Sequence, residues 1–220
     1  MTYRFTKRTG GVSHGAFASL NLGTHVGDDL GDVLQNRELV AQQVGPTQYM
    51  NQVHGDRIAL IEEVIDESPT ADALVTGIPG ISLAVMVADC IPLLLQSQES
   101  VAAVHVGRKG LVNGVARKSI EAMREMGATQ IKGILGPSIC GTCYEVSEDL
   151  YREVVAAHPL AASRTKSGTF SLDLPSALIA VLLEEGVEVI NESICTVESS
   201  HHFSYRRDGV TGRQAGIISL

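Results

Sequence analysis

Three short segments place a thiol or an imidazole at the end of an apolar run: QVHG with His54, ADC with Cys90, and AVHVG with His105. Thiolate sulfur and imidazole nitrogen are donors that zinc prefers. Cys90 lies 36 positions after His54 and His105 lies 15 after Cys90, far beyond zinc-finger spacing, so the fold would have to assemble such a site. Three protein ligands leave one position open, which is typical of a catalytic zinc that lowers the pKa of bound water to about 7.

The same residues allow two other interpretations. In the first, Cys90 is a nucleophile and His105 or His54 is the base that deprotonates it. In the second, Cys90 is a small core residue and both histidines are hydrogen-bonded structural side chains. Asp89 stands beside Cys90 within an apolar run, where an unpaired carboxylate is costly. It is therefore either held by structural hydrogen bonds or used to orient a ligand or carry protons.

The other three cysteines are interpreted more simply. Cys140 and Cys143 spell Cys-x-x-Cys, but no second pair follows at zinc-ribbon spacing and no thioredoxin-like βαβ pattern surrounds them. We interpret this pair as a coincidence within a loop. Four cysteines in a chain without a visible export signal indicate reduced thiols or metal ligands, not a disulfide framework.

The elements that must position these residues follow from hydrophobic periodicity. Of the 220 residues, 44% are hydrophobic and 19% charged, and no linker or repeat divides the chain, which predicts a single domain over residues 1–220. Apolar residues recur at helical spacing in 33–44, 112–126, 147–157 and 174–185. Strand-like runs cover 57–61, 81–87, 101–106, 131–135, 187–190 and 216–219. Because strands and helices do not alternate regularly, we predict an α+β fold with mixed β-sheets packed with surface helices.

Charge and hydropathy exclude several classes of partner. The net charge of −8 has the wrong sign for binding nucleic acid or an anionic membrane. The most apolar stretch, 81–95, contains Asp89 and Pro92 and is shorter than the roughly 20 residues that a membrane span needs. It is predicted to be buried core strand. The absence of a visible export signal predicts a cytoplasmic protein.

Nine motifs in one order resemble a known family over nearly the whole chain. They lie at residues 5–13, 19–23, 52–55, 71–76, 88–90, 136–139, 143–146, 203–209 and 211–214. The sequence is similar to the laccase-domain family, also named for multicopper polyphenol oxidoreductases. Its members are regarded as zinc-dependent purine nucleoside phosphorylases with adenosine deaminase activity, and some bacterial members are described as peptidoglycan editing factors.

The resemblance implies that His54, Cys90 and His105 are zinc ligands, which reverses the structural interpretation of these residues. It implies cleavage of adenosine and inosine by phosphate to the free base and ribose 1-phosphate, with 5′-methylthioadenosine as a further candidate substrate. Asp89, Cys90 and His105 are then the catalytic candidates, with Asp89 carrying protons during deamination. Zinc is the only implied cofactor, and the implied partners are a small nucleoside and phosphate.

Four residues are candidates for contacting the substrate or phosphate. The positive charge that develops on ribose during phosphorolysis requires phosphate to be held opposite the base, a task for Arg206, Lys109 or Arg8. Asn21, in the turn-rich segment SLNLG, is a further candidate for contacting substrate. One departure bears on these assignments: where the family has HAGWRG, this chain has HVGRKG at 105–110. Lysine is a point charge and does not reproduce the bidentate geometry of arginine.

Three competing functions are weighed against this one. A copper laccase is rejected, because the chain has seven histidines with no His-x-His and could not house four coppers. A peptidoglycan-precursor hydrolase would use the same pocket, with Cys90 or a zinc-bound water as the attacking group and no need for phosphate. A binding module with structural zinc would need a fourth protein ligand, for which Cys143 and Cys195 are the candidates.

Overall fold

The computed structural model describes residues 2–220. Within this range twelve strands, β1 to β12, are Thr2–Phe5, Thr47–Gln48, Ile58–Leu60, Ala73–Thr76, Ser82–Val87, Ile91–Gln96, Val101–Val106, Lys132–Leu135, Ala162–Arg164, Phe170–Leu172, Glu188–Asn191 and Gln214–Ser219. Six α-helices, α1 to α6, are Leu30–Val44, Arg108–Asn113, Val115–Glu125, Glu148–Ala157, Leu174–Glu184 and Tyr205–Asp208. Short 3-10 turns cover Gly15–Phe17 and Pro159–Ala161.

Ten of these strands form two mixed sheets, and β9 and β10 pair separately as a hairpin. The larger sheet has the strand order β11-β8-β6-β7-β4-β3 and the smaller has the order β1-β12-β5-β2. The pairs β11 with β8, β3 with β4 and β2 with β5 are parallel, while the remaining pairs are antiparallel. Mixed pairing of this kind confirms the predicted α+β class.

Alternation along the central strands shows how the layers stack. On β6, Leu93 and Leu95 pack in the core beneath helices α2 to α5, while Leu94 packs in a second core between the two sheets. On β5, Ala84 and Met86 face a third core covered by α1. Successive side chains of a strand point to opposite faces, so one apolar run can supply two cores. The result is one domain of two stacked sheets with helices on both outer sides.

The predicted helices are present, with two corrections to their bounds. Helix α1 begins at Leu30, before the predicted 33–44 run, because the Asp29 side chain accepts a hydrogen bond from the N–H of Asp32. The run 112–126, predicted as one helix, is interrupted at Gly114, whose φ of 75° ends α2 and starts α3. Helix α5 begins at Leu174, as the run 174–185 predicts, and the Asp173 side chain caps it by accepting a hydrogen bond from the N–H of Ser176.

The apolar stretch 81–95, predicted to be one buried core strand, instead forms two strands that belong to different sheets. Strand β5 belongs to the smaller sheet and β6 to the larger, and the chain passes between them through Asp89, whose φ is 93°. Sequence periodicity also failed to predict six of the strands: β1, β2, β4, β6, β9 and β10. Within residues 2–220, no helix is long and apolar enough to span a membrane.

Candidate active site

The fold brings His54, Cys90 and His105 together, with one ligand atom of each lying within 4.8 Å of the others. Cys90 immediately precedes β6, and His105 lies on β7 opposite Pro92 in the β6–β7 register. His54 lies on the connection between β2 and β3. Adjacent antiparallel strands therefore position two donors, and a loop from the other side of the cluster supplies the third.

One residue of this cluster and the neighbour of another have left-handed backbone conformations. His54 has a φ of 58° and Asp89, next to Cys90, has a φ of 93°. Such conformations cost about 1–3 kcal/mol in non-glycine residues and tend to occur at functional sites, where the surrounding structure holds them. Here they aim the His54 ring and the Cys90 thiol at the same point.

Asp72, at the residue before β4, holds both histidines in place. Its fully buried carboxylate lies 2.8 Å from His105 Nδ1. It also accepts backbone hydrogen bonds from Val53, His54 and Gly55 at 3.3, 2.9 and 2.6 Å. The hydrogen bond at Nδ1 fixes the orientation and the tautomer of the His105 ring. The other ring nitrogen, Nε2, is therefore the one available to the cluster.

Charges within the cluster shift two pKa values. Burial raises the pKa of Asp72, but hydrogen bonds from His105 and from the Gly55 N–H outweigh it and hold that pKa below its usual range. Burial lowers the pKa of His105, but its interactions with the Cys90 sulfur and the Asp72 carboxylate outweigh burial and raise that pKa to about 9. The two shifts favour a negative charge on Asp72 and a positive charge on His105, so the two side chains attract each other beside Cys90.

The donor set and the space around it fit a metal ion. Two imidazoles and one thiolate suit zinc-like ions. Ligand atoms on a tetrahedral zinc lie about 3.3–3.8 Å apart, which is compatible with donor atoms that all lie within 4.8 Å of one another. A Cβ at Gly107 would lie 2.9 Å from Cys90 Sγ and 3.1 Å from His54 Nδ1. Glycine at this position therefore leaves the ligand atoms the room that they need.

A cavity of 320 Å³ opens onto the cluster. The Tyr144 and Tyr205 rings are part of its lining, together with Asp89 and the cationic side chains of Arg206 and Arg213. Tyr205 is 62% exposed, whereas Tyr144 is half-buried. A cavity with metal ligands, aromatic rings and guanidinium groups suits a small molecule that has both a planar and an anionic part.

The Asp89 carboxylate, predicted to carry protons, lies in the cavity wall and is already hydrogen-bonded on both oxygens. Oδ1 accepts from Thr196 Oγ1 at 2.6 Å, and Oδ2 accepts from the Arg206 N–H at 2.7 Å. Each carboxylate oxygen has a second lone pair, so these contacts hold the group while leaving it acceptor capacity.

The two arginines of the cavity are held differently. Arg206 is exposed, and its Nη1 donates to the Glu145 carbonyl at 2.9 Å while its guanidinium lies 5.2 Å from the centre of the Tyr144 ring. Arg213 is half-buried, and its Nη1 donates to the carbonyls of Thr211 and Gly212 at 3.0 Å each. Both keep further N–H groups with which to bind an anion.

Three of the predicted contacts, Asn21, Lys109 and Arg8, lie outside the cavity lining. Asn21 is fully buried, and its side-chain oxygen accepts from the Gly23 and Arg213 N–H groups at 2.9 and 2.8 Å. These hydrogen bonds hold Asn21 against the backbone of the segment that carries Arg213. Lys109 is exposed in the first turn of α2, with Arg108 beside it 3.8 Å from Glu153.

Sequence reasoning assigned no role to Asp72, Arg213 or His25, all of which the structure places at the site. Asp72 and Arg213 stand in the motifs at 71–76 and 211–214, so a signal was present for both. His25, at the cavity rim, has no surrounding motif. Burial lowers the pKa of His25, and the nearby Arg213 lowers it further.

Cys140 and Cys143, interpreted from the sequence as a coincidence within a loop, do lie in a loop, but they are not alone there. Cys195 joins them, and the three sulfur atoms lie within 4.8 Å of one another. Neither Cys143 nor Cys195 belongs to the His54 cluster, so neither is its fourth protein ligand. Within residues 2–220 these are two separate groups of metal-ligand type, and neither contains more than two histidines.

Comparison with known proteins identifies the family. The sequence model described as multi-copper polyphenol oxidoreductase laccase matches residues 2–220. The chain belongs to this laccase-domain family. A purine nucleoside phosphorylase of Streptomyces coelicolor is 45% identical, with 99% of this chain and 95% of the relative covered. One from Corynebacterium glutamicum is 42% identical, covering 98% and 93%. The crystal structure of a Neisseria meningitidis protein has a TM-score of 0.91 at 41% identity, covering 99% and 93%.

Proposed function

We propose that this chain is a zinc-dependent purine nucleoside phosphorylase whose active site is the cavity above His54, Cys90 and His105. The observation that carries the proposal is the convergence of this donor set with two arginines in one cavity. The names of the relatives at 45% and 42% identity support the reaction class. Adenosine and inosine are the proposed substrates, with 5′-methylthioadenosine as a further one.

The zinc site would consist of the Cys90 thiolate, an imidazole nitrogen of His54, and His105 Nε2 held in position by Asp72. When bound, zinc supplies a Lewis acid that polarises an oxygen or nitrogen of the substrate or of water. The open side of the cluster faces the cavity, so a substrate atom can approach it directly. The chain's own part is to hold the donors rigidly before substrate arrives.

Phosphorolysis joins a phosphate oxygen to C1′ of ribose while the bond from C1′ to the purine nitrogen breaks. The bonding electron pair leaves with the purine, which takes up a proton, and positive charge develops on the ribose ring. Arg213 and Arg206 are the cavity cations suited to hold the phosphate dianion, while the Tyr144 and Tyr205 rings suit the planar purine. Because the pKa of His25 is lowered, its neutral ring is suited to hydrogen-bond a ribose hydroxyl.

Adenosine deamination is the proposed side activity. Water adds at C6 of adenine, the C6–N6 bond breaks, and ammonia leaves with inosine as the product. Asp89 is the carboxylate in the cavity wall adjacent to Cys90, and it is suited to pass a proton from water to the leaving amine. Its hydrogen bonds from Thr196 and Arg206 fix the group for this transfer.

The test is chromatographic detection of free base from inosine and adenosine, using zinc-loaded protein with and without phosphate. Hypoxanthine and adenine released only with phosphate are the expected products, and phosphate-independent inosine from adenosine is the expected sign of deamination. If neither free base nor inosine forms, the nucleoside proposal fails and the peptidoglycan-precursor hydrolase becomes the better hypothesis.

A Cys90→Ser variant separates the metal from the nucleophile interpretation. Loss of the zinc at the His54 cluster together with activity supports the proposal, whereas zinc retained at that cluster with lost activity indicates a cysteine nucleophile. Cys140→Ser is the matched control, because Cys140 lies in the other cysteine cluster. It is expected to keep zinc at the His54 cluster.

A further inference from the structure

Cys140, Cys143 and Cys195 form a second cluster of soft ligands outside the active-site cavity lining. Their three sulfur atoms lie within 4.8 Å of one another, and each residue is half-buried. On a tetrahedral zinc with Zn–S bonds of about 2.3 Å, neighbouring sulfurs lie about 3.8 Å apart. The cluster is therefore within about 1 Å of the spacing that a shared metal ion requires.

The backbone holds this cluster together from two distant parts of the chain. A tight turn links Cys140 and Cys143, since the Cys140 carbonyl accepts from the N–H groups of Cys143 and Tyr144, both at 3.1 Å. A parallel bridge joins Ser138 to Cys195. This pairing places the Cys195 sulfur where it accepts the Cys140 N–H at 3.4 Å.

The turn is also pressed closely against the rest of the protein. A Cβ at Gly141 would lie 2.8 Å from Asp173 Cβ and 2.9 Å from Ser163 Oγ. Glycine between the two cysteines therefore allows an approach that a larger residue would block. The position of the Cys-x-x-Cys turn is set by packing, independently of any ligand.

We propose that Cys140, Cys143 and Cys195 bind a second zinc ion, with the Glu198 carboxylate as the fourth donor. Three convergent sulfurs favour a metal over a disulfide, because a disulfide joins only two of them. Glu198 Oε1 lies 3.9 Å from Cys143 Sγ, near the roughly 3.5 Å expected between sulfur and oxygen ligands of one zinc. Four protein ligands make this a closed site, which is characteristic of structural zinc.

Charge at the edge of the cluster fits this assignment. Three thiolates and a carboxylate around Zn²⁺ leave a net charge of about −2. Lys166 Nζ lies 3.1 Å from Glu198 Oε1 and so provides a neighbouring positive charge. The Lys166 side chain is 81% exposed, so it can move aside when Glu198 turns toward the metal.

The second zinc would hold in place two segments at one wall of the active-site cavity. Tyr144, which lines the cavity, follows Cys143 directly, and Arg206 Nη1 donates to the Cys143 carbonyl at 3.4 Å. Thr196, which donates to Asp89, follows Cys195 directly. One metal ion would thus fix two segments that carry cavity residues. This consequence concerns the proposed active site, but the existence of the second zinc does not depend on the reaction.

The test counts zinc in purified full-length protein by elemental analysis and measures its affinity with a chromophoric chelator. Wild type is expected to bind about two zinc ions, one at each cluster, and Cys90→Ser about one. Cys195→Ser is expected to bind about one, and the Cys90→Ser/Cys195→Ser double variant none. Cobalt bound to Cys90→Ser should show strong thiolate-to-metal charge transfer, because three sulfurs then coordinate it.

Two further variants address the ligand set and the folding of the variants. In the Cys90→Ser background, Glu198→Gln should weaken zinc binding about tenfold or more, while Glu192→Gln, an exposed carboxylate on the same segment, should not. If circular dichroism shows that Cys195→Ser is not folded, Cys143→Ser replaces it as the thiol variant. Its expected result is the same loss of one zinc.

Three results would overturn the proposal. The first is Cys90→Ser protein that binds no zinc, and the second is unchanged zinc in Cys90→Ser after a further Cys143→Ser or Cys195→Ser change. The third is a disulfide in the zinc-free protein. It would show as an intact mass two hydrogens below that of the reduced chain, and as cluster cysteines that react with an alkylating reagent only after reduction. Since none of these readouts uses a nucleoside, they remain decisive if the proposed phosphorylase reaction is not found.

Discussion

The Asp72 carboxylate and the His105 imidazole form a buried pair, with Asp72 Oδ1 2.8 Å from His105 Nδ1. The same carboxylate accepts the backbone N–H groups of the His54 loop. One side chain thereby orients two of the three donors at the metal cluster, although it provides none itself. Carboxylate groups behind metal-binding histidines commonly contribute 10–100-fold to metal affinity.

Asp72→Asn should therefore weaken zinc binding about 10–100-fold and lower phosphorolysis at limiting zinc. The amide keeps the size of the side chain but removes the charge that fixes the His105 tautomer. Competition with a chromophoric chelator measures the affinity. Asp56→Asn is the matched control, since Asp56 is close by in sequence and its carboxylate is 42% exposed beside Lys118. Equal affinities for both variants would contradict the role assigned to Asp72.

Gly107→Ala should weaken zinc binding about tenfold or more while the protein remains folded. The added Cβ would lie 2.9 Å from Cys90 Sγ and 3.1 Å from His54 Nδ1, so it would push two donors away from the metal position. The backbone of Gly107 has a φ of −88°, which alanine adopts without strain. Gly31→Ala in helix α1 is the control and should bind zinc normally. Zinc affinity of Gly107→Ala equal to wild type would place the metal elsewhere.

The sequence predicted the fold class and most helices because their signals are local. Caps such as Asp173 and the 3.6-residue periodicity act within a few turns. In the stretch 81–95, by contrast, the boundary between two strands depends on contacts that are distant in sequence. Its residues are almost uniformly apolar, so no period marks the point where β5 ends in one sheet and β6 begins in the other. The turn at Asp89 depends on hydrogen bonds from Thr196 and Arg206, which are more than 100 positions away.

The grouping of His54, Cys90 and His105 was predictable only through the family resemblance, because their spacing alone left three interpretations open. Arg213 was missed because a single arginine in a turn carries no sequence signal for a binding role. Its position depends on the hydrogen bond from its backbone N–H to buried Asn21, which is distant in sequence. Lys109 was considered as a phosphate contact because it is a cation within the segment 105–110. Helix α2 begins at Arg108, and the Lys109 side chain is exposed to solvent. Cys195 was not linked to Cys140 because a parallel bridge over 50 positions leaves no sequence signal.

Arg213→Lys should raise the KM for phosphate about tenfold or more, whereas Lys109→Ala should change it less than about threefold. Arg213 lines the cavity with a planar guanidinium that can bind phosphate through two N–H groups, which the lysine ammonium does not reproduce. Lys109 is exposed outside the lining. Initial rates at varied phosphate and saturating inosine provide the measurement. A larger effect at Lys109 than at Arg213 would reverse this assignment.

Asn21→Ala should lower the free energy of unfolding by about 2–4 kcal/mol, because it leaves the buried N–H groups of Gly23 and Arg213 without their acceptor. Urea denaturation measures this change, and Asn51→Ala, at an exposed amide, is the matched control. In the folded variant, the KM for phosphate should rise through the loosened Arg213 segment while kcat is less affected. A stability equal to wild type with a raised KM for nucleoside would instead favour direct contact between Asn21 and the substrate. A positioning role requires both changes together, since the same two hydrogen bonds support the fold and place the guanidinium.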